Sequence, residues 1–151
     1  MKKKEMMKKL MMTLMMVITF SSAAFADKYV HNDSVLPVAA KSVLKKNFKA
    51  DVSLVKIDRT LGHINEYEVI LTDGSEISFD SKGNWKDVEV AANKSVPQGF
   101  VLQPIRDYVK RNHGNAKIIG IEKDSRNIEV TLSNGIEMKF SHDGKFERYD
   151  D

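Results

Sequence analysis

The chain is 151 residues long, enough for one compact domain or two small ones sharing a core. It has no cysteine, which excludes disulfides, thiol catalysis, cysteine-ligated zinc and a lipid on a mature N-terminal cysteine. Its formal charge of +3 belongs to the first 26 residues: they hold five lysines and one glutamate, and the remainder carries 19 basic against 20 acidic side chains. No basic stripe interleaved with aromatics remains, so nucleic-acid binding is not expected.

The opening segment is positive (Lys2, Lys3, Lys4, Lys8, Lys9), and an apolar run follows from Leu10 to Phe20. Ala24-Phe25-Ala26 then supplies a small-x-small exit. Together these predict a signal peptide over residues 1–26, a mature chain starting at Asp27, and a periplasmic or secreted protein. The apolar run is shorter than the roughly 20 residues that span a bilayer, so no stable membrane anchor is expected after cleavage. Residues 27–34 read as an N-terminal tail.

A first unit is expected over residues 35–90. Pro37 suits an opening turn, and Ala40, Val43, Leu44 and Phe48 recur at helical spacing. Val55 and Ile57 alternate with polar neighbours, as do Tyr67, Val69 and Leu71, so both runs read as strands, separated by a turn over residues 60–66. Asp73-Gly74 reads as a two-residue hairpin turn in which both positions take positive φ. Ile77 and Phe79 mark the return strand, Ser81-Lys82-Gly83-Asn84 a second turn, and Trp85 the start of a last strand.

After a linker and helix lead-in over residues 91–103, a second unit is expected over 104–151. Pro104 opens its helix, with Ile105, Tyr108 and Val109 on one face, and Gly114 suits its end. Strands follow at Ile119 and Ile121, at Ile128, Val130 and Leu132, and at Met138 and Phe140, with Asn134-Gly135 as the hairpin and Phe146 opening the last strand. The two units align at an offset of 61 from Tyr67-Glu68-Val69 over Ile128-Glu129-Val130 through Gly83 over Gly144, and Trp85 falls over Phe146. The fold class expected is therefore α+β: tandem α-β-β-β-β repeats forming one curved antiparallel sheet with both helices on one face.

Chemistry-bearing patterns are few. His31, His63, His113 and His142 make no ligand pair. Asp80-Ser81-Lys82-Gly83-Asn84 lacks the alternating acids and closing glutamate of a calcium loop. No nucleophile elbow or phosphate loop is present. No catalytic, metal or cofactor residue is therefore expected. What stands out is the sheet face away from the helices, which carries Glu68, Glu76, Glu129 and Glu137; these suit a solvated face, and as paired carboxylates they also suit acid–base work. Trp85 and Phe146 are either core residues or partner-binding aromatics, because the register of the last strand is open.

Leu36-Pro37 before the first helix, Lys45-Lys46-Asn47-Phe48 at its end, the run from Tyr67 to Trp85, and Ile128 to Phe140 with Gly144 resemble the PepSY-like, beta-lactamase-inhibitor-protein-like family of secreted bacterial proteins. The resemblance implies export, one curved antiparallel sheet, no enzymatic activity and no cofactor. It also implies a protein partner, since PepSY domains accompany peptidase propeptides and the beta-lactamase inhibitor protein grips an enzyme with the sheet face opposite its helices. The lead-in with Pro97 and Pro104 is longer than that family opening at Pro37.

The expectation is thus a non-catalytic protein-interaction module, an inhibitor or regulator of a periplasmic or extracellular protease or other enzyme. Its partner-binding sheet face would carry Glu68, Glu76, Trp85, Glu129, Glu137 and Phe146. The alternatives are a periplasmic small-ligand binding protein and a hydrolase with an unrecognised carboxylate site. N-terminal sequencing of the exported protein is expected to begin at Asp27; a sequence beginning at Met1 would refute the signal peptide.

Overall fold

The computed structural model describes residues 28–150. The expected signal peptide and its cleavage point lie outside the described residues. A short strand β1 (Lys28–Val30) leads into helix α1 (Val38–Asn47) and strands β2 (Val52–Thr60), β3 (His63–Leu71), β4 (Glu76–Asp80) and β5 (Trp85–Glu89). A second helix, α2 (Gln103–Asn112), is followed by β6 (Ile118–Lys123), β7 (Ile128–Leu132), β8 (Glu137–Phe140) and β9 (Phe146–Tyr149). The nine strands of the described residues form one antiparallel sheet in chain order, each hydrogen-bonded to the next.

The period-2 pattern decides which face is covered. Val55, Ile57, Tyr67, Val69, Ile77, Phe79, Val88, Ile121, Val130, Met138 and Phe140 are all buried. Ala40 and Leu44 of α1 and Ile105 and Val109 of α2 close the same core. Each buried Val, Leu, Ile or Phe is worth roughly 1.5–3 kcal/mol relative to exposure. Breaking the meander in the middle would split this core, because β5 pairs with β6 through Val88 and Ile121.

Three expectations need correction. The tail over residues 27–34 is not all tail: Lys28–Val30 adds an edge strand, with Tyr29 opposite Lys56. The turn expected over residues 60–66 is only Leu61-Gly62, and His63 already lies in β3 opposite Thr60. This is where two consecutive residues take positive φ, 51° and 82°, the signature of a two-residue turn matched to strand twist.

The Asp73-Gly74 and Asn134-Gly135 turns, by contrast, are not of that type. Only the glycines have positive φ, 84° and 86°. The Gly74 N–H donates to Leu71 O and the Leu71 N–H to Ser75 O, and Gly135, Leu132 and Ile136 repeat the arrangement. These are three-residue loops, a type I turn followed by a left-handed glycine. Asp73 and Asn134 serve through their side chains, accepting from the N–H of Ser75 and Ile136.

The turns after β4 and β8 use the same loop, with Gly83 and Gly144 at φ 89° and 87°. These two glycines also receive the helix N-termini. A Cβ on Gly83 would lie 2.9 Å from Ala40 N and 3.0 Å from Pro37 Cβ, and one on Gly144 would lie 3.1 Å from Pro104 Cβ. Gly74 has open space around it. Gly74→Ala is therefore expected to cost about 1 kcal/mol from φ alone, and Gly83→Ala about twice that or more, because α1 must also move. Equal urea midpoints for the two variants would refute the docking of α1 on this turn.

Candidate functional site

Strand register assembles the uncovered face. One row across the sheet runs Tyr29, Lys56, Glu68, Ser78, Asp87, Glu122, Glu129, Lys139, Arg148. A neighbouring row runs Ile70, Glu76, Glu89, Gly120, Thr131, Glu137. Within these two rows the acids hold the centre and the cations the ends, and Lys86 of the central strand β5 reaches across to Glu66. Lys56 reaches Glu68 at 3.4 Å, while Lys139 reaches Glu129 at 3.6 Å and Asp150 at 3.2 Å.

Crowding shifts the central acids. Burial, with the charges of Glu122, Glu89, Glu66 and Glu76 added, pushes the Asp87 carboxyl up to about 7. Burial and then Glu89 and Glu68 push Glu76 up to about 7, and its Oε2 is buried with no hydrogen-bond partner. Glu122 is raised by partial burial and by Glu129 and Asp124. Such a surface attracts cationic groups and holds protons near neutral pH.

The six residues expected on one face divide between two. Glu68 and Glu129 lie on the uncovered face, half-buried and ion-paired. Glu76 is there too, but largely enclosed, and Glu137 is buried at 8 % exposure, so neither is the solvated acid the sequence suggested. Trp85 and Phe146 are on the helix-covered face. The reason is a bulge in each last strand: Ser78 pairs with Asp87 but Phe79 with Trp85, and Lys139 with Arg148 but Phe140 with Phe146. The extra residue, Lys86 or Glu147, turns the aromatic inward. Trp85 meets Phe100 edge-on at 5.4 Å, and Phe146 stacks on Tyr108 at 4.5 Å.

Sequence reasoning missed Asp87, Glu89 and Glu122, the acids at the centre. The alternation of Asp87, Val88 and Glu89 carried the signal, but it has meaning only once β5 lies beside β6.

Among the described residues, Glu129, Glu137 and Asp150 bring carboxylate oxygens within 4.8 Å of one another, a grouping that could hold a cation and that sequence reasoning did not single out. Lys139 already stands beside two of them. The histidines are dispersed: His113 Nε2 is 3.2 Å from the Tyr149 hydroxyl and His142 Nε2 is 2.9 Å from Asp124 O. On the covered side, an open-sided cleft of about 300 Å³ is lined by Ser42, Val43, Lys46, Asn47, Trp85, Gly99 and Phe100. Among the described residues no helix is long and apolar enough to cross a membrane.

An open antiparallel sheet with both helices on one side and a carboxylate face on the other defines an α+β protein. Residues 65–148 match the family described as beta-lactamase-inhibitor-like, PepSY-like, and the chain belongs to that family. A periplasmic protein of unknown function from Bacteroides vulgatus is 37% identical, with TM-score 0.77, over 83% of this chain and 100% of that one. A candidate calcium-regulated periplasmic protein from Bacteroides thetaiotaomicron is 34% identical, with TM-score 0.75, over 83% and 97%. A second Bacteroides vulgatus periplasmic protein is 33% identical, with TM-score 0.75, over 85% and 100%. No curated protein matches. With these relatives, the protein is periplasmic.

The raised carboxyls have a testable consequence. Asp87 and Glu76 hold their protons more tightly folded than unfolded, where ordinary values are 3.8 and 4.5. Their contribution to stability therefore falls as pH rises from about 4 through about 7, and the penalty is complete above that. Asp87→Asn is expected to stabilise by ~1 kcal/mol at about pH 8 and by little at about pH 4.5, after discounting for solvent screening. Urea midpoints at the two pH values check this; a pH-independent effect would refute the shift.

Proposed function

We propose that this protein is a non-catalytic interaction module that inhibits or regulates a periplasmic or extracellular protease or other enzyme. One observation carries the reading: a nine-strand sheet has helices on only one side, and the other side presents carboxylates at its centre. Such a face suits a protein partner with a complementary basic surface, whose approach it would steer. The contact would be made by Glu68, Asp87, Glu122 and Glu129. Glu76 and Glu137 would shape the face from within, and Trp85 and Phe146 would stiffen the sheet from behind. The family's inhibitor-like description supports a protein partner.

We also infer that residues 35–90 and 104–151 are two copies of one unit joined by 91–103. Support comes from two ten-residue helices, four strands after each, and a bulge and a glycine turn at matching places. A second reading, a periplasmic small-ligand binding protein, is favoured by the cleft beside Trp85.

Titrated against a panel of peptidases and beta-lactamases, the mature protein is expected to inhibit one of them stoichiometrically, more weakly as salt rises. Combining Glu68→Gln, Asp87→Asn, Glu122→Gln and Glu129→Gln is expected to slow association about tenfold or more while melting temperature holds or rises. Turnover of a peptidase or glycosidase substrate by the wild type that vanishes in this variant would overturn the non-catalytic reading.

A further inference from the structure

The two helices are set on the sheet alike, yet one leaves a space that the other fills. Both are ten residues long. Val43 is the sixth residue of α1 and Tyr108 the sixth of α2. Each helix ends on an asparagine whose Nδ2 donates to the carbonyl of that sixth residue, Asn47 to Val43 and Asn112 to Tyr108, both at 2.9 Å. The partners on the sheet correspond as well, since Trp85 and Phe146 are each the inward-turned aromatic of a bulged strand. In the second half the Tyr108 ring lies flat on Phe146, with centroids 4.5 Å apart and planes 9° from parallel. In the first half Val43 has no ring to lay flat on Trp85; Phe100 meets Trp85 edge-on at 5.4 Å instead, and an open-sided cleft of about 300 Å³ lies beside the two rings.

We propose that this cleft binds a small aromatic carboxylate, whose ring takes against Trp85 the role that Tyr108 plays on Phe146. This rests on the ligand-binding reading and is independent of the acidic face. The volume suits a single ring with a short acidic arm, since an apolar cavity of roughly 150 Å³ accommodates benzene and ligand sites begin at about 300 Å³. The wall supplies the rest of the chemistry. Val43, Trp85 and Phe100 are apolar, while Lys46 and Ser42 offer an ammonium and a hydroxyl, and no acid lines the cleft. Lys123, outside this lining, stands over the Trp85 ring 4.4 Å from its centre, so Lys46 is the cation of the wall. An anion is thus favoured at the mouth and an aromatic ring inside.

Trp85 is the sole tryptophan of the chain, so its fluorescence reports directly on the cleft. Titration with 3-phenylpropanoate and 4-hydroxyphenylacetate is expected to give a saturable change, matched by heat in calorimetry, while 3-phenylpropanamide binds about tenfold more weakly and hexanoate not at all. Tyrosine-terminated tripeptides with a free and an amidated end, run beside these, separate a chain terminus from a free acid by which binds tighter. Lys46→Gln, on an exposed residue, is expected to weaken the acids about tenfold and leave the amide unchanged. Val43→Tyr is expected to abolish binding without lowering the melting temperature, because it fills the cleft as Tyr108 fills its counterpart. Equal binding of acid and amide would overturn the carboxylate assignment and leave a ligand site standing. No saturable signal from any probe at millimolar concentration, or full binding by a folded Val43→Tyr variant, would overturn the site altogether.

Discussion

The pairing of β5 with β6 is the constraint from which the rest follows. Three register pairs join the two halves: Asp87 with Glu122, Val88 with Ile121 and Glu89 with Gly120. On the covered side this pairing joins Val88 to Ile121 and makes one core from two that would each be small. On the other side one of the three, Asp87 with Glu122, sets an acid directly opposite an acid. Like charges directly opposite one another destabilise a sheet, and an enclosed carboxyl such as Asp87 answers by holding its proton more tightly. One strip of backbone thus closes the core on one side and sets Asp87 opposite Glu122 on the other.

The bulges extend that division of labour. A strand that simply alternated would put Trp85 on the same face as Asp87. The extra residue at Lys86 breaks the alternation, so the aromatic drops onto Phe100 while Asp87 stays in the acidic row. The second half does the same around Glu147, and there the aromatic meets Tyr108. The helix is held over this region by the preceding turn, where the bare backbone of Gly83 or Gly144 admits a proline-bearing helix N-terminus. Turn, helix and bulge therefore set the geometry together, and the sixth helix residue, Val43 in one half and Tyr108 in the other, sets whether a ring lies flat on the inward-turned aromatic.

Leu61 is an exception to the economy of the hairpins. It sits at φ 51° in the β2–β3 turn with 89 % of its surface exposed, a conformation usually left to glycine or asparagine. The long twisted pair of strands below it, joined along nearly their whole length, supplies the constraint that holds the residue there.

Local sequence determined a good deal. Alternating apolar residues, the helical stripes and the glycines that require positive φ gave the order of elements and most strand faces, because those properties depend on neighbours two to four residues away. The compartment, too, was legible in the residue pattern of the chain's first 26 positions and agrees with the periplasmic relatives. Only the tertiary structure decided which acids stand together. Glu68 and Glu129 could be assigned to a face from alternation, but Asp87 and Glu122 are 35 residues apart in the chain and meet only through strand pairing. It also decided the fate of Trp85 and Phe146, since a bulge costs one residue of register and reverses the face of all that lies beyond it. Periodicity is a local quantity and register a long-range one, which is why the fold was readable along the chain while the composition of its acidic face was not.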